Sequence, residues 1–483
     1  MAKRPSILGI LTDHTSAAAV ASPDCRTPNL DALAAGGIRF DRYYTVNAIC
    51  SPARASLLTG LYPSAHGVWD CTHTQRPEWV DLRTGRCRCF SHRLAAAGYR
   101  NAYFGKWHVE QSNRLEDFGW HEYELECSRG RGEPVPGTEL VLSHPGYRPY
   151  RIAAIADGPR THPAFDRAID FLCHRTRPDE PFCCLVSTAE PHDPYVPPRP
   201  FFEQYDLERV PLPASLGDEL VGRPEIVRRL QEVWRPLRPD QWRRIIASYW
   251  AVVGFLDHEV GRLLEALAAS GRDADTIVFF TADHGDMMGA HGLLTKGIGT
   301  PYEPVYNVPL VFRLPAGRPR GEGGASLARE PAGASRDGNR SHVLSAVDLA
   351  PTLLDLCGLE PLPGTHGRSF RAVLAGTAAA TEWQDAYAEF FGQRFLYTQR
   401  IVWHGRWKFV FNPGGIDELY DLESDPGECR NLAADPAHRS LLLAMTRRMW
   451  RRMHAIGDRS LFDSHYGTLR TAAVGPLDEE TTP

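Results

Sequence analysis

The segment T-I-V-F-F-T-A-D-H-G, Thr276 to Gly285, sets a run of β-branched and aromatic residues directly against an aspartate, a histidine and a glycine. Thr276 to Thr281 has the length and composition of a buried strand, and the residues able to hold a ligand begin where that strand stops. The longest helical pattern of the chain, Arg243 to Ala269, leads into it. A helix feeding such a strand predicts an α/β domain built on a large, mainly parallel sheet flanked by helices. The same arrangement recurs elsewhere. Ile7 to Thr12 is followed by Asp13 and His14; Tyr99 to Phe104 by Gly105, Lys106, Trp107 and His108; Phe182 to Ser187 by Glu190, Pro191 and His192. Open α/β sheets hold ligands outside the carboxyl ends of their strands, so these four segments are expected to converge on one edge.

Around these strands the pattern stays regular. Thr27, Pro28 and the run to Ala35 read as an N-cap, a first-turn proline and a helix closed by Gly36. Ser91 to Ala97, stopped by Gly98, and Ala164 to Arg175 are further helix expectations, and Val308 to Phe312 and Val343 to Val347 are further strands. Pro315 to Arg340 is rich in Gly, Ala, Arg, Pro and Ser and reads as a surface loop. After the stretch Ala375 to Thr381 the alternation gives way to consecutive strands, Phe395 to Trp403, Trp407 to Phe411 and Glu418 to Tyr420, with a helix from Pro436 to Met453. We therefore expect an α/β domain over 1–378 and a smaller α+β unit with an antiparallel sheet over 379–483.

The 483-residue length suits two domains, and 43% hydrophobic with 23% charged residues is globular composition. A net charge of -5 with mixed signs offers no basic field for a nucleic acid. The apolar run Ile7 to Leu11 is too short for a signal peptide, and no stretch reaches the roughly 20 apolar residues that cross a bilayer, so a cytoplasmic location away from membranes is expected. Eleven irregularly spaced cysteines then read as reduced thiols.

Cys50 stands at the head of C-S-P-A-R, before a helix expected over Ala55 to Thr59, with Pro52 where a first-turn proline is tolerated. Unpaired backbone donors at such an end favour an anion, and Arg54 adds a bidentate donor fork, so the corner suits a tetrahedral oxyanion. C-S-P-A-R-A-S-L-L-T-G, Cys50 to Gly60, resembles the signature of the formylglycine-dependent sulfatases of the alkaline phosphatase-like superfamily. T-D at Thr12, T-P-N-L-D-A-L-A at Thr27, G-K-W-H at Gly105, P-H-D-P-Y at Pro191 and T-A-D-H-G-D at Thr281 follow in family order, and the likeness runs through Lys296 to E-L-Y-D-L-E-S-D-P-G-E at Glu418.

The resemblance implies a sulfuric ester hydrolase acting on a small-molecule or saccharide sulfate ester. Cys50 would be oxidised to formylglycine by a formylglycine-generating enzyme, and one hydroxyl of the hydrated aldehyde would attack sulfur. His108 would take the proton of the other hydroxyl. His192 and Lys296 would stabilise or protonate the departing oxygen, and Arg54 and Lys106 would hold the nucleophile and offset charge. Asp13, His14, Cys50, Asp283 and His284 would surround one divalent metal; the family points to calcium, and a histidine ligand also suits manganese or magnesium. His14 departs from the usual second carboxylate and either ligates or lines the pocket. That departure keeps a phosphonate monoesterase or phosphodiesterase as one alternative, and a silent binding homologue with unmodified Cys50 as another.

Other residues carry simpler readings. His66 and His291 are expected to fix local backbone, Cys87, Cys89 and His92 lack a fourth ligand for zinc, and Cys183 and Cys184 face opposite ways from one strand. The aromatics Tyr43, Tyr44, Trp69 and Trp107 could shape a substrate pocket or simply pack.

Overall fold

The structure, a computed structural model, describes residues 4–73, 88–126, 139–158, 160–315, 342–461 and 470–477. Its strands are β1 (Ser6–Thr12), β2 (Ile38–Phe40), β3 (Tyr43–Tyr44), β4 (Arg100–Gly105), β5 (Glu122–Leu125), β6 (Leu140–Leu142), β7 (Tyr150–Ala153) and β8 (Phe182–Ser187). They continue with β9 (Thr276–Ala282), β10 (Leu310–Arg313), β11 (Leu344–Ser345), β12 (Asp385–Gly392), β13 (Leu396–His404), β14 (Trp407–Phe411) and β15 (Glu418–Asp421). Seven of them form one sheet in the order β2-β10-β9-β1-β8-β4-β5. β1, β4, β5, β8 and β9 run parallel, and β10 is antiparallel to both β9 and β2.

Strand pleating divides the core into two layers. Ile7, Leu11, Cys183 and Leu185 face one, with the helices Cys50–Thr59 and Leu349–Leu356; Leu8, Ile10, Cys184 and Val186 face the other, with Pro28–Ala35, Pro163–Asp170 and part of Pro239–Ala269. Cys183 and Cys184 thus point to opposite layers as expected. Tyr43, Tyr44 and Trp107 are core residues, and Trp69 alone of the four aromatics is exposed, at 40%.

Several elements differ from the sequence expectation. The Cys50 helix begins at Cys50 itself, with Ile49 as N-cap. Of Val343 to Val347, only Leu344 and Ser345 pair; they join β3 rather than the main sheet, and Asp348 turns the chain by accepting from the Ser345 N–H. Ala164 to Arg175 splits into an α-helix, Pro163–Asp170, and a π-helical Phe171–Arg175. The helix expected from Pro436 starts at Arg439 and runs to Ile456, after a 3-10 turn over Pro436–His438. Residues 316–340 and Cys87 lie outside the described residues. Cys89 and His92 make a helix cap, the His92 ring accepting from the Cys89 N–H. Among the described residues no helix is long and apolar enough to cross a membrane.

The antiparallel sheet β12-β13-β14-β15 carries the helix Arg439–Ile456 on one face, through Met445, Met449, Trp450 and Met453. Its first strand reaches into the α/β body. The Glu389 N–H donates to the Val46 carbonyl at 2.9 Å, and the Asn47 side-chain amide donates to the Glu389 carbonyl at 2.6 Å. The Glu389 carboxyl accepts from the Ser64 N–H and hydroxyl at 2.7 and 2.8 Å, and burial pushes its pKa from 4.5 up to about 7. In the folded chain it therefore stays neutral where the unfolded chain has already ionised. Stability is greatest below the unfolded value, falls as pH rises from about 4.5 to about 7, and remains lower above, by about 3 kcal/mol for this group. Glu389→Gln is expected to flatten the thermal midpoint against pH across that window, measured by calorimetry.

Candidate active site

Four strand ends build the site. Asp13 follows β1, Lys106 follows β4, Thr188 follows β8 and Asp283 follows β9. The turns are tied together through backbone: the Asp283 N–H donates to Thr12 O at 3.1 Å, Thr188 N–H to Leu11 O at 3.0 Å and Lys106 N–H to Ser187 O at 2.9 Å. Gly105 has φ +104°, and a Cβ there would lie 1.8 Å from the Ser187 carbonyl oxygen, so only glycine lets the G-K-W-H turn close this tightly. His14 and His108 also sit in the left-handed region, at φ 61° and 53°, a conformation that ordinary residues hold only where their surroundings fix it.

Cys50 is the first residue of its helix and is 1% exposed. Its Sγ lies 3.2 Å from His284 Nε2 and 3.6 Å from the nearer Asp13 oxygen. Burial and Asp13 raise the thiol pKa, but the ammonium groups of Lys106 and Lys296, with His284, outweigh them and hold it well below the ordinary value. Arg54, one turn on, binds three strand ends at once. Its Nε donates to Asp283 at 2.7 Å, one Nη to Ser187 Oγ at 2.6 Å and to the Lys106 carbonyl at 3.1 Å, and the other Nη reaches the Thr188 carbonyl at 3.4 Å. Arg54→Ala leaves the buried Asp283 without its cation. It is expected to destabilise the fold by about 3–5 kcal/mol, read from chemical denaturation midpoints.

The donor atoms of Asp13, His14, Cys50 and His284 lie within 4.8 Å of one another, all on fully buried residues. Their chemistry fits a divalent cation. His14 Nδ1 faces Asp286 Oδ2 at 2.7 Å and so carries the proton, leaving the Nε2 lone pair toward the group. His284 Nδ1 faces the Gly285 carbonyl at 3.0 Å, which likewise leaves Nε2 turned inward. Burial would raise the Asp13 carboxyl, yet the group stays ionised, the Lys106 ammonium being the largest pull against burial. Asp283 stands just outside: its Oδ1 is 3.7 Å from His284 Nε2 and accepts from the His284 N–H, and burial beside Asp13 pushes it up to about 6.

The remaining sequence candidates surround this group. The Lys106 ammonium pairs with Asp13. Lys296 Nζ lies 2.5 Å from His14 Nε2 and 3.0 Å from His192 Nε2, and Cys50, Asp13 and Asp193 hold it charged against the cost of burial. The His192 ring is held from behind, Nδ1 donating to the Asp193 carbonyl at 2.8 Å. His108 stands beside Lys106 with its Nδ1 buried and unpartnered, and burial lowers its pKa. Every candidate named from the sequence is therefore at this edge. Asp286, not singled out from the sequence, accepts from His14 and from the Tyr195 hydroxyl through one oxygen, and from the N–H groups of Met288 and Thr295 through the other. The final aspartate of T-A-D-H-G-D was its only signal.

Residues 5–359 match the sulfatase family model, and residues 289–455 match that of the N-sulphoglucosamine sulphohydrolase C-terminal region. The chain belongs to the sulfatase family. The Escherichia coli (strain K12) protein described as uncharacterized sulfatase YidJ is 31% identical over 458 residues, covering 90% of this chain and 84% of that protein. Among solved structures, the 2-O GAG sulfatase BT1596 superposes with TM-score 0.75 at 22% identity, over 98% of this chain and 97% of that one. The phosphonate monoester hydrolase SpPMH from Silicibacter pomeroyi gives TM-score 0.71 at 24% identity, over 95% and 97%. The sheet and its C-terminal companion are thus those of the alkaline phosphatase-like superfamily, and the chain is a sulfuric ester hydrolase by family.

Proposed function

We propose that this sulfatase-family chain hydrolyses a sulfate ester through formylglycine at position 50 and one divalent cation held by Asp13, His14, position 50, Asp283 and His284. The observation that carries the reading is the convergence of carboxylate, imidazole and Cys50 donors inside a ring formed by Arg54, Lys106 and Lys296. Hydrated formylglycine supplies an oxygen nucleophile able to reform its carbonyl, and the cation supplies positive charge against the sulfate oxygens. Lys106 and Arg54 hold the nucleophile's end of the site by fixing Asp13 and Asp283. His192 and Lys296, joined at 3.0 Å, give a proton to the alcohol oxygen as its bond to sulfur breaks. His108 takes the proton whose loss lets sulfate depart. Calcium remains the family's choice, and two imidazole nitrogens turned inward also suit manganese.

A sulfated saccharide or small molecule is the substrate class, supported by the sulfatase relatives. His14 in place of a second carboxylate, together with the likeness to the phosphonate monoester hydrolase, favours phosphonate monoester cleavage as the second reading. Purified, metal-loaded enzyme is assayed on an aryl sulfate, an aryl phosphonate monoester and a diester with the same leaving alcohol. The sulfate is expected to give the highest kcat/KM, and a higher value for the phosphonate moves the assignment to the second reading. Peptide mass over Tyr44 to Arg54 checks the nucleophile: formylglycine appears as a loss of about 18 Da relative to cysteine.

A further inference from the structure

A second set of donors meets at the mouth of the cleft. Donor atoms of Cys71, His73 and His108 lie within 4.8 Å of one another. The His108 and His73 rings are parallel within 8° at 5.7 Å between centroids, and His108 Nε2 faces His73 Nδ1 at 3.5 Å. His108 Nδ1 is a buried polar atom without a hydrogen-bond partner. Cys71 is buried while His73 is exposed, so the group has a floor inside the protein and an open side for an ion to enter. Another mixed cluster, Glu126, His162 and Glu190, differs in kind. There His162 Nδ1 accepts from the Ala164 N–H, so Nε2 carries the proton shared with the two carboxylates and has no lone pair to offer.

We propose that Cys71, His73 and His108 form a second metal site for a soft divalent transition ion of the zinc class, and that its occupation inhibits the enzyme. One thiolate sulfur and two imidazole nitrogens suit zinc and discriminate against calcium or magnesium, which take oxygen ligands. Three protein donors leave a fourth position to water. Burial and Cys50 push the Cys71 thiol up to about 12 in the metal-free protein, against the smaller pull of Lys296 and Lys106, so a bound ion must displace the thiol proton and its affinity should rise with pH. Once His108 is a ligand, its lone pair is no longer available to accept a proton in the reaction. The two sites then separate ions by hardness. The hard cation serves the reaction and the soft one stops it. The inhibitory half of this inference rests on the role proposed for His108; the metal-binding half does not.

Two measurements test it. Cobalt(II) is titrated into Cys50→Ala protein kept in excess calcium, which removes the thiol of the reaction site. A thiolate-to-cobalt charge-transfer band is expected, lost in Cys50→Ala/Cys71→Ser and weakened in Cys50→Ala/His73→Ala. In the formylglycine-bearing enzyme with saturating calcium, zinc is expected to inhibit aryl sulfate hydrolysis reversibly. His73→Ala should raise the half-inhibitory zinc concentration roughly tenfold or more while leaving zinc-free kcat/KM within about twofold. A missing Cys71-dependent band, or equal zinc sensitivity of wild type and His73→Ala, overturns the site. The cobalt measurement needs no turnover, so it stands even where the sulfatase reading fails.

Discussion

Cys50→Ser is expected to cleave sulfate ester once and then stall. A serine hydroxyl at the head of the helix can attack sulfur and expel the alcohol, but its carbon carries no second hydroxyl whose proton loss would release sulfate. Steady-state turnover should fall by roughly four orders of magnitude, about 5.5 kcal/mol of barrier. A burst of alcohol and an intact-mass gain of about 80 Da, the sulfuryl group retained on the serine oxygen, should accompany it. Cys50→Ala should show neither burst nor adduct. Sustained turnover by the serine variant would remove formylglycine from the account altogether.

The second large effect is expected at Asp13. Its buried carboxylate pairs with Lys106 and lies within 4 Å of Cys50 Sγ and His284 Nε2. Asp13→Asn keeps the shape, deletes the charge and leaves a buried ammonium facing an amide. We expect kcat/KM to fall by about a thousandfold, about 4 kcal/mol, with less than one equivalent of bound metal by elemental analysis. Chelation of the wild type should mimic the defect and added cation reverse it, whereas Asp13→Asn should not recover. Full metal content with full activity in that variant would disprove the ligand assignment.

Local signals were strong enough to place Phe182–Ser187 and Trp407–Phe411 from the sequence alone, because each is a short apolar run bounded by turn residues. β12 was not legible. Its D-A-Y-A-E-F-F-G carries a glutamate at a fully buried position, and a charge inside the alternation hides a strand whose carboxyl is neutralised by burial. Pairing partners were hidden for a different reason. Leu344–Ser345 and Leu310–Arg313 both read as strands, yet nothing local says that one joins Tyr43–Tyr44 and the other runs against its neighbours. The site residues were visible because they follow strands whose common direction already sends them to one edge. Asp286 escaped because its contribution lies in contacts far along the chain, from His14 to Thr295, which no local pattern encodes.

The strand that grips Val46, Asn47 and Ser64 belongs to the last quarter of the polypeptide. The clamp on the two segments that flank the Cys50 helix is therefore among the later parts of the chain to leave the ribosome. Until it arrives, the nascent N-terminal part presents Cys50 on a helix whose flanking segments lack these ties, and in the finished fold the side chain is 1% exposed. Any enzyme that oxidises this side chain works against the clock of translation.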